Sequence, residues 1–119
     1  MSMGSLQAGA ARTEITPERD VSLAGEVGWF RPGKYVASPL YARALILEQV
    51  GQKLCFISLD VTIVTEDVAQ KIRAQIASAC DIAPEAIMVH ATQVHAAPAL
   101  GSFMFDKDFP PMAEGIESL

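Results

Sequence analysis

The residues of this chain that could do chemistry crowd into two short stretches. Its only two histidines lie in the segment His90-Ala91-Thr92-Gln93-Val94-His95-Ala96-Ala97-Pro98, and Asp60 stands near the end of the apolar run Lys53 to Val61. An imidazole moves protons near neutral pH and binds metals through its neutral form. A carboxylate beside it favours the protonated ring. Gln93 and His95 are two apart, so in extended chain they project to one side and His90 to the other. A shared pocket therefore takes Gln93, His95 and Asp60, with His95 and Asp60 as the candidate catalytic pair. The plainer alternative makes His90 a hydrogen-bonded strand residue, His95 a loop residue without a role, and Asp60 a turn former before the next helix.

The elements that must position these groups follow from pattern and punctuation. Leu6 to Ile15 carries β-compatible residues and closes on Thr16-Pro17, which predicts a first strand ended by proline. From Glu18 to Pro39 short apolar groups alternate with Gly25, Gly28, Pro32 and Gly33, so residues 18–39 read as a long loop. Leu40 to Val50 and Lys53 to Val61 are apolar runs parted by Gly51-Gln52, a hairpin signal. Thr65 is a candidate N-cap with Glu66 and Asp67 behind it, and Val68, Ile72, Ile76 and Ala79 then line one face of a helix. Ala86 to Ala91 reads as another buried strand. Strand, helix, strand in this order implies a right-handed βαβ unit with parallel strands. The expected fold is α/β, a mixed sheet in which a β-hairpin leads into that unit. Ligands in such folds collect at the carboxyl ends of the parallel strands, where Asp60 and the 92–98 segment emerge.

Composition narrows the function classes. The length suits one folding unit and not two. A net charge of −5, with no basic run, argues against nucleic acid as a partner. No apolar segment approaches the roughly 20 residues that span a bilayer, and Met1 to Gln7 does not resemble an export signal, which favours a cytoplasmic location. Cys55 and Cys80 form neither a disulfide framework nor a metal-ligand spacing, and both read as reduced core residues. Phosphate-binding loops, G-x-G-x-x-G, G-x-S-x-G and H-E-x-x-H are absent from the sequence. Phe103, Met104, Phe105 and Phe109 with Pro110-Pro111 make an apolar tail that either packs on its own domain or docks on further protein or an apolar substrate. Met112 to Leu119 mixes apolar and acidic residues as the start of a helix does. The chain is therefore expected to be the N-terminal part of a larger domain, with a C-terminal region or a second copy covering the tail.

The opening AGAARTEITP, the stretch SPLYARALILE followed by FISLD, and the late ATQVHAAP fall in the order found in neutral/alkaline ceramidases, whose last segment reads A-T-H-T-H-S-G/A-P. From about Ala8 to Pro98 the chain resembles the N-terminal region of that family. The resemblance implies a zinc-dependent amidohydrolase that cleaves the N-acyl bond of ceramide, a lipid amide, to sphingosine and a fatty acid. It also implies that the first histidine of the H-T-H pair binds zinc and the second sits beside the metal and the scissile amide, with further ligands and an essential serine from later sequence. Carried over, the metal position is Gln93 and the second position is His95. Gln93 is the departure: a neutral amide oxygen substitutes poorly for imidazole at zinc, and His90 is the only nearby alternative ligand. Three functions are compatible with this pattern: a ceramidase-like amide hydrolase, a non-catalytic binding or structural module that keeps the hydrolase scaffold, and a related hydrolase acting on some other amide or ester.

Overall fold

The computed structural model describes residues 4–18, 21–25 and 31–101. Among these described residues there are six strands and one α-helix: β1 (Gln7–Glu14), β2 (Ser22–Leu23), β3 (Arg31–Pro32), β4 (Tyr41–Gln49), β5 (Gln52–Leu59), α1 (Glu66–Cys80) and β6 (Ile87–Ala91), with a short 3₁₀ turn at Pro84–Ala86 before β6. The main sheet has the order β1-β4-β5-β6. β1 and β5 both run antiparallel to β4, whereas β6 runs parallel to β5. The result is a mixed sheet with one helix, of the α/β class but mostly sheet. β2 and β3 form a small separate ladder within the 18–39 segment. The Phe103 to Phe109 tail and Met112 to Leu119 lie outside the described residues.

The β4–β5 hairpin turns through Val50 and Gly51, at φ 50° and 75°, between the paired residues Gln49 and Gln52. Two consecutive positive φ values are the signature of a two-residue turn whose twist matches the strands. Glycine accepts that conformation, but a β-branched valine is strained in it. Val50→Asn is expected to stabilise the protein by about 0.5–1.5 kcal/mol, because asparagine tolerates the left-handed region. A rise in the urea midpoint at unchanged slope checks this.

Alternation sets the core. Along β5, Cys55, Ile57 and Leu59 are buried and continue into buried Val61; Ile87 of β6, Ile82 and Leu100 complete the cluster. The helix lays Val68, Ile72 and Ile76 against this side of the sheet, with Ala69 buried. Ala79, assigned by periodicity to the same stripe, is exposed; Ala77 packs instead, and Ile82 enters the core just after Asp81 ends the helix in the left-handed conformation. Thr65 is the N-cap residue as expected, but its hydroxyl donates to the Asp67 carboxylate and not to the helix backbone. Among the described residues no helix is long and apolar enough to cross a membrane.

The two cysteines differ, which corrects the expectation that both are core residues. Cys55 is buried, and burial pushes its thiol pKa up, with a smaller contribution from Cys80. Cys80 is exposed at the end of α1. Because the thiolate is the reactive form, a thiol reagent should modify Cys80 in the native protein and Cys55 only under unfolding conditions. Mass spectrometry showing a single adduct on residue 80 before denaturation is the expected result.

Candidate functional site at the carboxyl ends of the parallel strands

Asp60 directly follows β5, and its backbone N–H donates to the Tyr41 carbonyl at 2.9 Å. Its carboxylate accepts from the Tyr41 N–H at 3.0 Å, from Arg43 Nη1 at 2.8 Å and from Thr92 Oγ1 at 3.2 Å. These partners sit on β4 and at the exit of β6, so one side chain joins three strands at one end of the sheet. Partial burial raises the carboxyl pKa, but the hydrogen bonds and the charge of Arg43 outweigh it and hold the group below the usual carboxylate range.

The segment after β6 is fixed through its backbone. Thr92 N–H donates to Leu59 O, while Gln93 and Val94 N–H donate to Val61 O. Beyond the turn, Pro98 and Leu100 bond Thr62, Ile63 and Thr65, and Leu100 forms a parallel bridge with Val64. Thr62, buried among apolar neighbours, reaches the carbonyls of Val94 at 2.7 Å and Ala97 at 2.8 Å. From the other side, Ala24 N–H donates to Ala97 O at 3.0 Å and Arg31 Nη1 approaches His95 O at 3.4 Å. Gly25 lies so close that a Cβ there would fall 2.0 Å from the His95 carbonyl oxygen. Only glycine fits at that position without backbone movement.

This scaffold leaves the side chains of Gln93 and His95 exposed. Gln93 has φ 63°, a left-handed conformation uncommon for a residue with a side chain, and His95 begins a turn. The segment is therefore not extended, and two-residue spacing does not put Gln93 and His95 on one side as it would in a strand. Asp60 and His95 do leave the same end of the parallel pair, but the Asp60 carboxylate is directed at Arg43, Tyr41 and Thr92. His90 lies within β6, exposed and in register with Ser58, on the sheet face opposite the helix. The sequence carries one signal of the loop-holding role of Thr62, a hydroxyl inside the apolar run Val61-Thr62-Ile63-Val64.

Among the described residues no three His, Cys, Asp or Glu side chains come together in a way that could hold a metal ion. With Gln93 in place of an imidazole and Asp60 already engaged by a guanidinium, these residues do not by themselves fit a zinc site. The arrangement offers an exposed imidazole and an exposed carboxamide on a rigidly tied loop, which suits hydrogen bonding to an amide and proton transfer. No family model matches the sequence, and no curated protein matches it significantly.

Proposed function

We propose that this chain is the N-terminal part of a ceramidase-like, metal-dependent amide hydrolase, with its β5–α1–β6 crossover right-handed as such connections almost always are. The observation that carries the reading is the 92–98 loop, tied down by its backbone at the carboxyl ends of two parallel strands while presenting His95 and Gln93. In this reading the Gln93 carboxamide orients the substrate amide. Water adds to the carbonyl carbon, the C–N bond breaks, and His95 delivers the proton that the leaving amine needs. Any metal takes its ligands from beyond the described residues. The substrate class is a lipid amide, or another small amide.

The test uses the protein purified from its natural source and a labelled short-chain ceramide. Release of fatty acid that falls at least about 100-fold in His95→Ala supports the reading, since general acid catalysis typically contributes that much. The 119-residue chain alone is expected to release none. A second reading, a binding module on a hydrolase scaffold, is favoured by Gln93 at the position where the family has histidine. Stoichiometric zinc in the natural protein supports the enzyme; its absence together with no amide hydrolysis supports the module.

A further inference from the structure

The two cysteines differ in exposure but share one end of the fold. Cys55 belongs to the cluster under the helix and lies in register with Ile87, the first residue of β6. A helix that links two parallel strands must carry the chain back to where they begin, so the end of α1 comes to the level of Cys55. Cys80 is that end. It follows Ile76 by four residues and Ala77 by three, and so continues the helical stripe that packs on the sheet. Just beyond it, Ile82 enters the same buried cluster as Cys55.

The two thiols also sense each other. Part of the rise in the Cys55 thiol pKa comes from Cys80, which places the two groups within electrostatic reach. An open pocket is lined by Lys53 and Leu54 of β5 and by Asp81, Ile82 and Ala83 after α1, the chain neighbours of the two cysteines. A small oxidant therefore meets Cys80 without entering the core. The last turn of α1 is weakly held. Asp81 ends it in the left-handed conformation, and that turn has no basic residue to offset a carboxylate at the negative end of the helix dipole. Unwinding of this turn swings Cys80 inward, whereas an external thiol reagent has no such path to Cys55.

We propose that Cys80 and Cys55 form a redox latch, in which oxidation by a peroxide joins them in a disulfide that ties the end of α1 to β5. The Cys80 thiolate attacks one oxygen of hydrogen peroxide, the O–O bond breaks, water leaves, and a sulfenic acid remains on Cys80. The Cys55 sulfur then attacks the Cys80 sulfur, the S–O bond breaks, and the hydroxyl departs as water with the Cys55 proton. In sum, two thiols are oxidised to one disulfide and one peroxide is reduced to two waters. This inference goes beyond the hydrolase reading and does not depend on it.

Treatment of the full 119-residue chain with hydrogen peroxide tests it. Tryptic digestion without reductant should give one cross-linked product joining the peptides that begin at Leu54 and Ala74, and a non-reducing gel should show no linked dimer. Cys55→Ala should stop at a sulfenic acid on Cys80 that dimedone traps, with circular dichroism showing the variant folded. Cys80→Ser should leave Cys55 reduced at the same dose. Equilibration of the wild-type chain with glutathione needs no variant: the effective concentration of the thiol pair should be at least about tenfold higher in the native chain than in urea. Equal values in the two states, a sulfinic acid on Cys80 in place of the cross-link, or a disulfide between two chains would overturn the proposal.

Discussion

Asp60→Ala is expected to lower stability by about 2–3 kcal/mol, the size expected when a partly buried charged acceptor is removed and a backbone N–H is left without its partner. The Tyr41 N–H accounts for most of it. Arg43 is 46 % exposed, so its half of the ion pair is screened and contributes less. A urea titration of the purified chain reads the change. Asp60→Asn keeps a neutral acceptor and should cost less. The sign of the pH effect follows from the lowered carboxyl pKa. The unfolded-state value is about 3.9. Above it the wild-type carboxylate contributes its full stabilisation, and that contribution is lost as pH falls through the lower folded-state pKa. The Asn variant should therefore lose less stability than wild type between about pH 4 and the acid transition. Parallel acid limbs for the two proteins would count against the clamp.

Thr62→Val should cost a similar amount, about 2–3 kcal/mol, although the shapes match, because a methyl group then faces two carbonyl oxygens inside the protein. The hydroxyl has one proton to give. Ala97 O accepts from the Ala24 N–H as well, so the proton matters more to Val94. Loss of that bond should loosen the loop that carries Gln93 and His95 more than it loosens the β5–β6 core. Amide exchange at Val94 and Ala96 rising well beyond that of Ile57 and Val89 is the expected pattern. Thr62→Ser keeps the hydroxyl and should restore slow exchange. If Ser and Val variants exchange alike, the hydroxyl does not hold the loop.

Strand and helix periodicities were readable where burial enforces them. The Lys53 to Val61 run, apolar almost throughout, reads as a strand covered on both faces, whereas in the fold one face buries Cys55, Ile57 and Leu59 and the other leaves Leu54 half exposed; the Val68–Ile72–Ile76 spacing locates the helix to within a residue. Gly51 announced the hairpin, yet nothing in the pattern foretold a valine with positive φ beside it. The sequence pattern places Asp60 and the 92–98 segment at one end of the parallel strands, and they do leave that end together, whereas the engagement of Asp60 depends on Arg43 and Tyr41, distant in sequence and brought close only by β4 pairing. The left-handed Gln93 breaks the extended geometry that its spacing from His95 assumed, and local sequence carries no sign of it. Gly25 read as loop punctuation, and its close approach to the His95 carbonyl is a tertiary fact.

β1 is exposed along its whole length, and it pairs residues 7–14 with residues 41–48 across a long intervening segment. Its attachment rests on the backbone ladder to β4, with little side-chain burial to reinforce it. Closing so large a loop costs chain entropy before the ladder repays it, whereas the β4–β5 hairpin closes over two residues. Folding should accordingly begin at the hairpin and the helix that follows it, with β1 zipping on last. In the native protein the same asymmetry makes β1 the first element to open and leaves the β5–β6 edge, with the loop after it, standing while it does.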